Sequence, residues 1–107
     1  MPYRKYRNQP VTVAGRRFDS KREAARFGEL LLLEKAGEVT EIECQVRYDM
    51  VVNGRKICTY VADFRYRDRS GRVIVEDVKS PASKTPAYRL KAKLMVALHG
   101  VEINEVV

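Results

Sequence analysis

The chain has 107 residues and a formal charge of +7, with 45% hydrophobic and 33% charged residues. That length suits one domain over 1–107, without separate catalytic and binding modules. The composition is neither disordered nor membrane-like: the leucine run Leu30–Leu33 is far too short to span a bilayer, and Met1–Arg7 has no apolar signal region, so the expected compartment is the cytoplasm.

Residues 1–18 form a basic arm. Arg4, Lys5, Arg7, Arg16 and Arg17, followed by Lys21 and Arg22, face only Asp19 in opposition. With Tyr3 and Tyr6 interleaved, such an arm suits a phosphate backbone and exposed bases, although a solvated tail has the same composition. Val11-Thr12-Val13, Ala14-Gly15 and Arg16-Arg17-Phe18 read as a short hairpin or extended segment. Ser20 and Glu23 then make an S-x-x-E capping box, opening a helix that runs to about Lys35 and stops at Gly37, with Ala24, Phe27, Leu30, Leu31 and Glu34 along or near one face. Four successive leucines cover more of that helix than a small core can bury, which points to a homodimer.

Three strands follow, Ile42–Val52, Lys56–Tyr66 and Arg72–Lys79, separated by the turn dipeptides Asn53-Gly54 and Ser70-Gly71. After Pro81 and Pro86, Ala87–Leu98 reads as a second helix with Leu90, Leu94, Ala97 and Leu98 inward and Arg89 and Lys93 outward. Gly100 ends it. Val101, Ile103 and Val106 suggest a last strand of unassigned partner and register. Residues 19–107 therefore form a core of helix, three strands, helix and strand, an α/β arrangement with a mixed sheet and helices packed against it.

Cys44 and Cys58 lack the spacing of a redox or zinc motif, and His99 is the only histidine. Zinc sites, Cys/His pairs and Ser/His/Asp triads are thereby disfavoured, leaving carboxylates, lysine and a hard cation held by oxygen. Alternation puts Asp77 and Lys79 on one face of their strand, and a hairpin turning near Ser70-Gly71 brings Asp63 toward the same end. Ile74, Glu76 and Val78 fall on the other face. Two carboxylates and an ammonium on a Val- and Ile-rich strand need a reason, either a structural ion-pair network or an active site.

Asp63 followed by Asp77-x-Lys79 resembles the signature of the PD-(D/E)XK nucleases, which share the restriction-endonuclease-like fold and its αβββαβ core. Ala62 stands where that signature has proline, and Asp77 where glutamate is commoner. Within the superfamily, the Phe18-Asp19-Ser20-Lys21-x-Glu23 start after an extended arm is similar to short phage-encoded nucleases related to Holliday-junction resolvases. The resemblance implies metal-dependent hydrolysis of DNA phosphodiesters, on branched DNA such as a four-way junction, in the host cytoplasm. It also implies Mg²⁺ or Mn²⁺ on Asp63, Asp77 and the Val78 carbonyl, with Lys79 positioning water or stabilising charge. Glu23 is the further candidate for the metal, because such families often bring an acid from the first helix; its place in the capping box is the competing role. On the second helix Lys91 is expected to approach the scissile phosphate, with Tyr88 beside it on an exposed face and Lys84 before it. Arg16, Arg17, Lys21 and Arg22 are expected to contact backbone phosphates. The alternatives are a non-catalytic DNA-binding recombination accessory and a phage protein-interaction or inhibitor domain.

Overall fold

A computed structural model describes residues 11–107. The part of the basic arm over 1–10, including Tyr3 and Tyr6, lies outside the described residues. The described residues divide into two compact units, a first ending at Val39 and a second over Thr40–Val107.

In the first unit, β1 (Val11–Val13) and β2 (Arg16–Phe18) form an antiparallel hairpin. Helix α1 (Lys21–Lys35) starts where Ser20 Oγ accepts the Glu23 N–H at 3.1 Å, satisfying one of the donors that a helix start leaves unpaired. Its buried face is Ala24, Phe27 and Leu30, at three-residue spacing, and the Phe18 and Phe27 ring centroids lie 5.0 Å apart. Leu31 and Leu33 are half-buried, whereas Leu32 is 68% exposed.

The second unit holds a four-stranded mixed sheet of order β3-β4-β5-β6, made of β3 (Val39–Val52), β4 (Arg55–Asp68), β5 (Val73–Val78) and β6 (Ile103–Val106). Asn53 and Gly54, with φ of +50° and +78°, close the β3–β4 hairpin; two successive left-handed residues make the tight turn that matches strand twist. β4 pairs antiparallel with β5, whereas β6 runs parallel to β5 with Val75 opposite Ile103 and Asp77 opposite Glu105. A parallel neighbour needs a crossover, and helix α2 (Pro86–Leu94) supplies it. Before it, Pro81–Ser83 make a 3-10 turn; after it, the helix widens into a π-type turn over Met95–His99 that Gly100 ends with φ +67°. Met50, Tyr60, Ala62, Val75, Tyr88 and Met95 form the core of this unit. No described helix is long and apolar enough to cross a membrane.

The expected inward face of the second helix is overturned. The inward side chains of α2 and of the turn after it are Tyr88 and Met95, with Leu94 half-buried beside them, whereas Leu90 and Leu98 are 58% and 39% exposed and Ala97 is exposed too. The tyrosine hydroxyl finds a carboxylate at the sheet, so the aromatic residue takes the buried position that aliphatic spacing alone assigns to leucine. The π-type turn then breaks the helical repeat before Leu98.

Candidate active site

β5 carries three consecutive buried side chains, Val75, Glu76 and Asp77. A strand enclosed on both faces buries them without regard to alternation, so each acid must find donors. Glu76, fully buried opposite Phe64, accepts from the Tyr66 hydroxyl at 2.7 Å. Asp77 faces the other way. Extending the register by one pair sets it opposite Asp63, and there the side chains take over from the backbone ladder. Asp77 Oδ1 accepts the Asp63 N–H at 2.9 Å, and Asp63 Oδ2 accepts the Val78 N–H at 2.9 Å.

The Tyr60 hydroxyl donates to Asp77 Oδ2 at 2.6 Å. Burial first, and then this bond to a carboxylate, push the Tyr60 hydroxyl far above its ordinary range, so it remains a donor at any physiological pH. Lys79 Nζ lies 3.7 Å from Asp77 Oδ2, near enough for attraction but too far for a hydrogen bond. Its backbone N–H donates to Val106 O at 2.7 Å, fastening the lysine to β6, and its ammonium sits 4.5 Å above the centre of the Tyr88 ring.

Behind the ring, the Tyr88 hydroxyl donates to Glu105 Oε2 at 2.8 Å and Lys84 Nζ approaches Glu105 Oε1 at 2.7 Å. The hydrogen bond from Lys84, then that from Tyr88, hold the Glu105 carboxyl below its ordinary range. Burial, then Glu105, push the Tyr88 hydroxyl up. Thr85 Oγ1 caps α2 by accepting the Tyr88 N–H at 3.1 Å, which fixes the start of the helix carrying the ring.

Asp63, Asp77 and Lys79 are thus brought together, with Val78 between the last two. Tyr88 is not on an exposed face as the sequence suggested: it is 7% exposed and anchored, because its hydroxyl is satisfied inside. Lys84 is engaged by Glu105, and Lys91 is half-buried. Arg16, Arg17, Lys21 and Arg22 are exposed in the first unit, Arg16 with its guanidinium 5.9 Å from the Phe27 ring centre. Glu23 lies in that unit at the capped start of α1. Gln45 is exposed, with a left-handed φ of +54° inside β3.

Sequence reasoning missed Tyr60 and Glu105. Strict alternation sets Tyr60 on the face opposite Asp63, and no local signal marks Glu105, whose position depends on the parallel register of β6.

Among the described residues, no group of three or more His, Cys, Asp or Glu side chains is arranged to hold a metal ion. The Asp63–Asp77 pair nevertheless fits a small hard cation. Its donors are carboxylate oxygens, the ligand type that hard cations take, and Mg²⁺ commonly needs only one or two carboxylates, filling its shell with water and phosphate.

A family model described as "Protein of unknown function (DUF1064)" matches residues 3–104, and the chain belongs to that family. No curated protein and no solved structure matches it.

Proposed function

We propose that this member of the family is a divalent-cation-dependent endonuclease of the PD-(D/E)XK type, hydrolysing phosphodiester bonds in branched DNA. The observation that carries the reading is the cluster itself: two carboxylates from neighbouring strands tied together through backbone N–H groups, with an ammonium 3.7 Å from one of them. The order of helix, three strands, helix and parallel strand supports a restriction-endonuclease-like core, and the exposed Arg16, Arg17, Lys21 and Arg22 support binding to a phosphate backbone. Leu32, exposed on α1, supports a homodimer, which would offer two sites to the strands of a junction.

In this reading Asp63 and Asp77, with the Val78 carbonyl, would hold Mg²⁺ or Mn²⁺. The cation would neutralise the phosphate and acidify a bound water. Lys79 places its ammonium where negative charge builds on the phosphoryl oxygens, and the tie between the two aspartates keeps their geometry fixed as that charge develops. Tyr60 holds Asp77 in place by donating to Oδ2.

A specific observation favours a second reading, a DNA-binding module without catalysis. Both Asp77 oxygens already accept hydrogen bonds from the chain, and no buried polar side-chain atom of the described residues lacks a partner. The cluster can therefore stand as a structural network. Incubating the protein and its Asp77→Asn variant with labelled four-way junction, duplex and single-stranded DNA, in Mg²⁺, Mn²⁺ or EDTA, separates the two. Metal-dependent cutting of the junction that the variant loses supports the nuclease; binding without cutting in either metal favours the module.

A further inference from the structure

We propose that Tyr88 is a positioning residue that holds the Lys79 ammonium over its ring and away from Asp77; the proposal rests on the nuclease reading. At 3.7 Å the Asp77 carboxylate attracts Lys79 without fixing its direction, since no hydrogen bond forms at that distance. The Tyr88 face, 4.5 Å from Nζ, is the surface that sets where the ammonium rests. A lysine that closed fully on Asp77 would compete with a cation for the carboxylate and turn its N–H donors from the substrate. Held over the ring, it keeps those donors available beside the carboxylate pair.

The ring is itself locked. It is 7% exposed, its hydroxyl is bonded to Glu105 at 2.8 Å, and Lys84 grips the other oxygen of Glu105 at 2.7 Å. Because β6 is parallel to β5, Glu105 lies opposite Asp77 in the sheet, so one strand pair sets both the carboxylate and the anchor of the ring. Thr85 fixes the same tyrosine through its backbone N–H. The latch thus ties helix, loop and edge strand to the orientation of one side chain, which is the kind of support a preorganised site requires.

The test uses the full chain labelled with ε-¹³C-lysine, the Lys79 signal being assigned by its loss in Lys79→Arg. Methylene protons next to an ammonium above an aromatic face are shifted upfield. Lys79 is expected to show this shift in the wild type and in Tyr88→Phe, which keeps the ring, and to lose it in Tyr88→Leu. In junction cleavage with Mg²⁺, Tyr88→Leu is expected to lower kcat about tenfold with KM little changed, and Tyr88→Phe to restore most of the rate. An unshifted Lys79 signal in the wild type, a Tyr88→Leu variant with wild-type kcat, or a Tyr88→Phe variant as slow as Tyr88→Leu would overturn the proposal. Should Tyr88→Leu fail to fold, the wild type and Tyr88→Phe decide it: an upfield Lys79 signal in both, with cleavage retained in Tyr88→Phe, supports it, and loss of either overturns it. A wild type that cuts no DNA in either metal removes the nuclease reading and the catalytic role together. Cleavage with an unshifted Lys79 removes the role of Tyr88 alone.

Discussion

Asp63 and Asp77 grip each other's strands: Asp77 Oδ1 accepts the Asp63 N–H at 2.9 Å, and Asp63 Oδ2 accepts the N–H of Val78, next to Asp77, also at 2.9 Å. Each carboxylate thereby takes a backbone donor of the opposite strand and is held in one orientation. The arrangement meets the cost of burying Asp77 and at the same time sets two oxygen-rich side chains beside one another. Structure and proposed chemistry therefore depend on the same bonds, and substitutions must be chosen to tell them apart.

Glu76 and Asp77 are adjacent buried acids on opposite faces of β5, which makes them a matched pair for that purpose. Asp77→Asn is expected to slow metal-dependent cutting at least about 100-fold while the fold persists, whereas Glu76→Gln is expected to leave cutting unchanged. Single-turnover cleavage beside thermal melts checks both. A Glu76→Gln protein that melts normally but does not cut would move the chemistry to the Tyr66 side of the strand.

The Tyr60–Asp77 bond links a buried hydroxyl to a carboxylate, and such charge-assisted bonds are the stronger ones. Tyr60→Phe is expected to cost about 1.5–3 kcal/mol, seen as a lower urea midpoint with unchanged slope at neutral pH. An unchanged midpoint would mean that the 2.6 Å contact contributes nothing in solution.

Asp68 orders the β4–β5 turn by accepting from the Ser70 hydroxyl and N–H and from the Arg72 N–H. The Ser70 hydroxyl first, then the Arg72 N–H, hold its carboxyl below the ordinary value of 3.8. A carboxyl with a depressed folded value binds fewer protons folded than unfolded, so its contribution is complete above the ordinary value and is lost as pH falls through the folded one. Stability measured from pH 6 down to 2 should fall less steeply in Asp68→Asn than in the wild type. Identical slopes would exclude Asp68 from the acid limb.

Arg16 and Arg17 are exposed on the hairpin of the first unit. If they contact phosphates, replacing both by alanine should reduce the slope of log binding constant against log salt by about two, with no change in preference among DNA sequences. Fluorescence anisotropy across a salt series measures it, and an unaltered slope would take these arginines off the DNA.

Much of the fold and of the site was legible locally. The Ser20 cap, the Asn53-Gly54 turn and the stop at Gly100 each depend on one or two residues whose side chain or backbone preference decides the conformation, so those element boundaries are written in short stretches of sequence. Alternation along β5 likewise placed Asp77 and Lys79 together, and a hairpin through Ser70-Gly71 brought Asp63 to them.

What only the tertiary structure decided depends on partners distant in the chain. The parallel pairing of β6 with β5 set Glu105 opposite Asp77, and no local pattern carries that register, because a crossover fixes it through packing. The inward turn of Tyr88 in place of Leu90 followed from it, since the hydroxyl needed Glu105 to be buried at low cost. Tyr60 reached Asp77 against simple alternation because side chains replace the ladder at Asp63. Sequence by itself determined the order of elements and the carboxylate and lysine residues of the cluster; long-range packing decided which neighbours hold them, because a buried polar group settles where its hydrogen bonds can be completed.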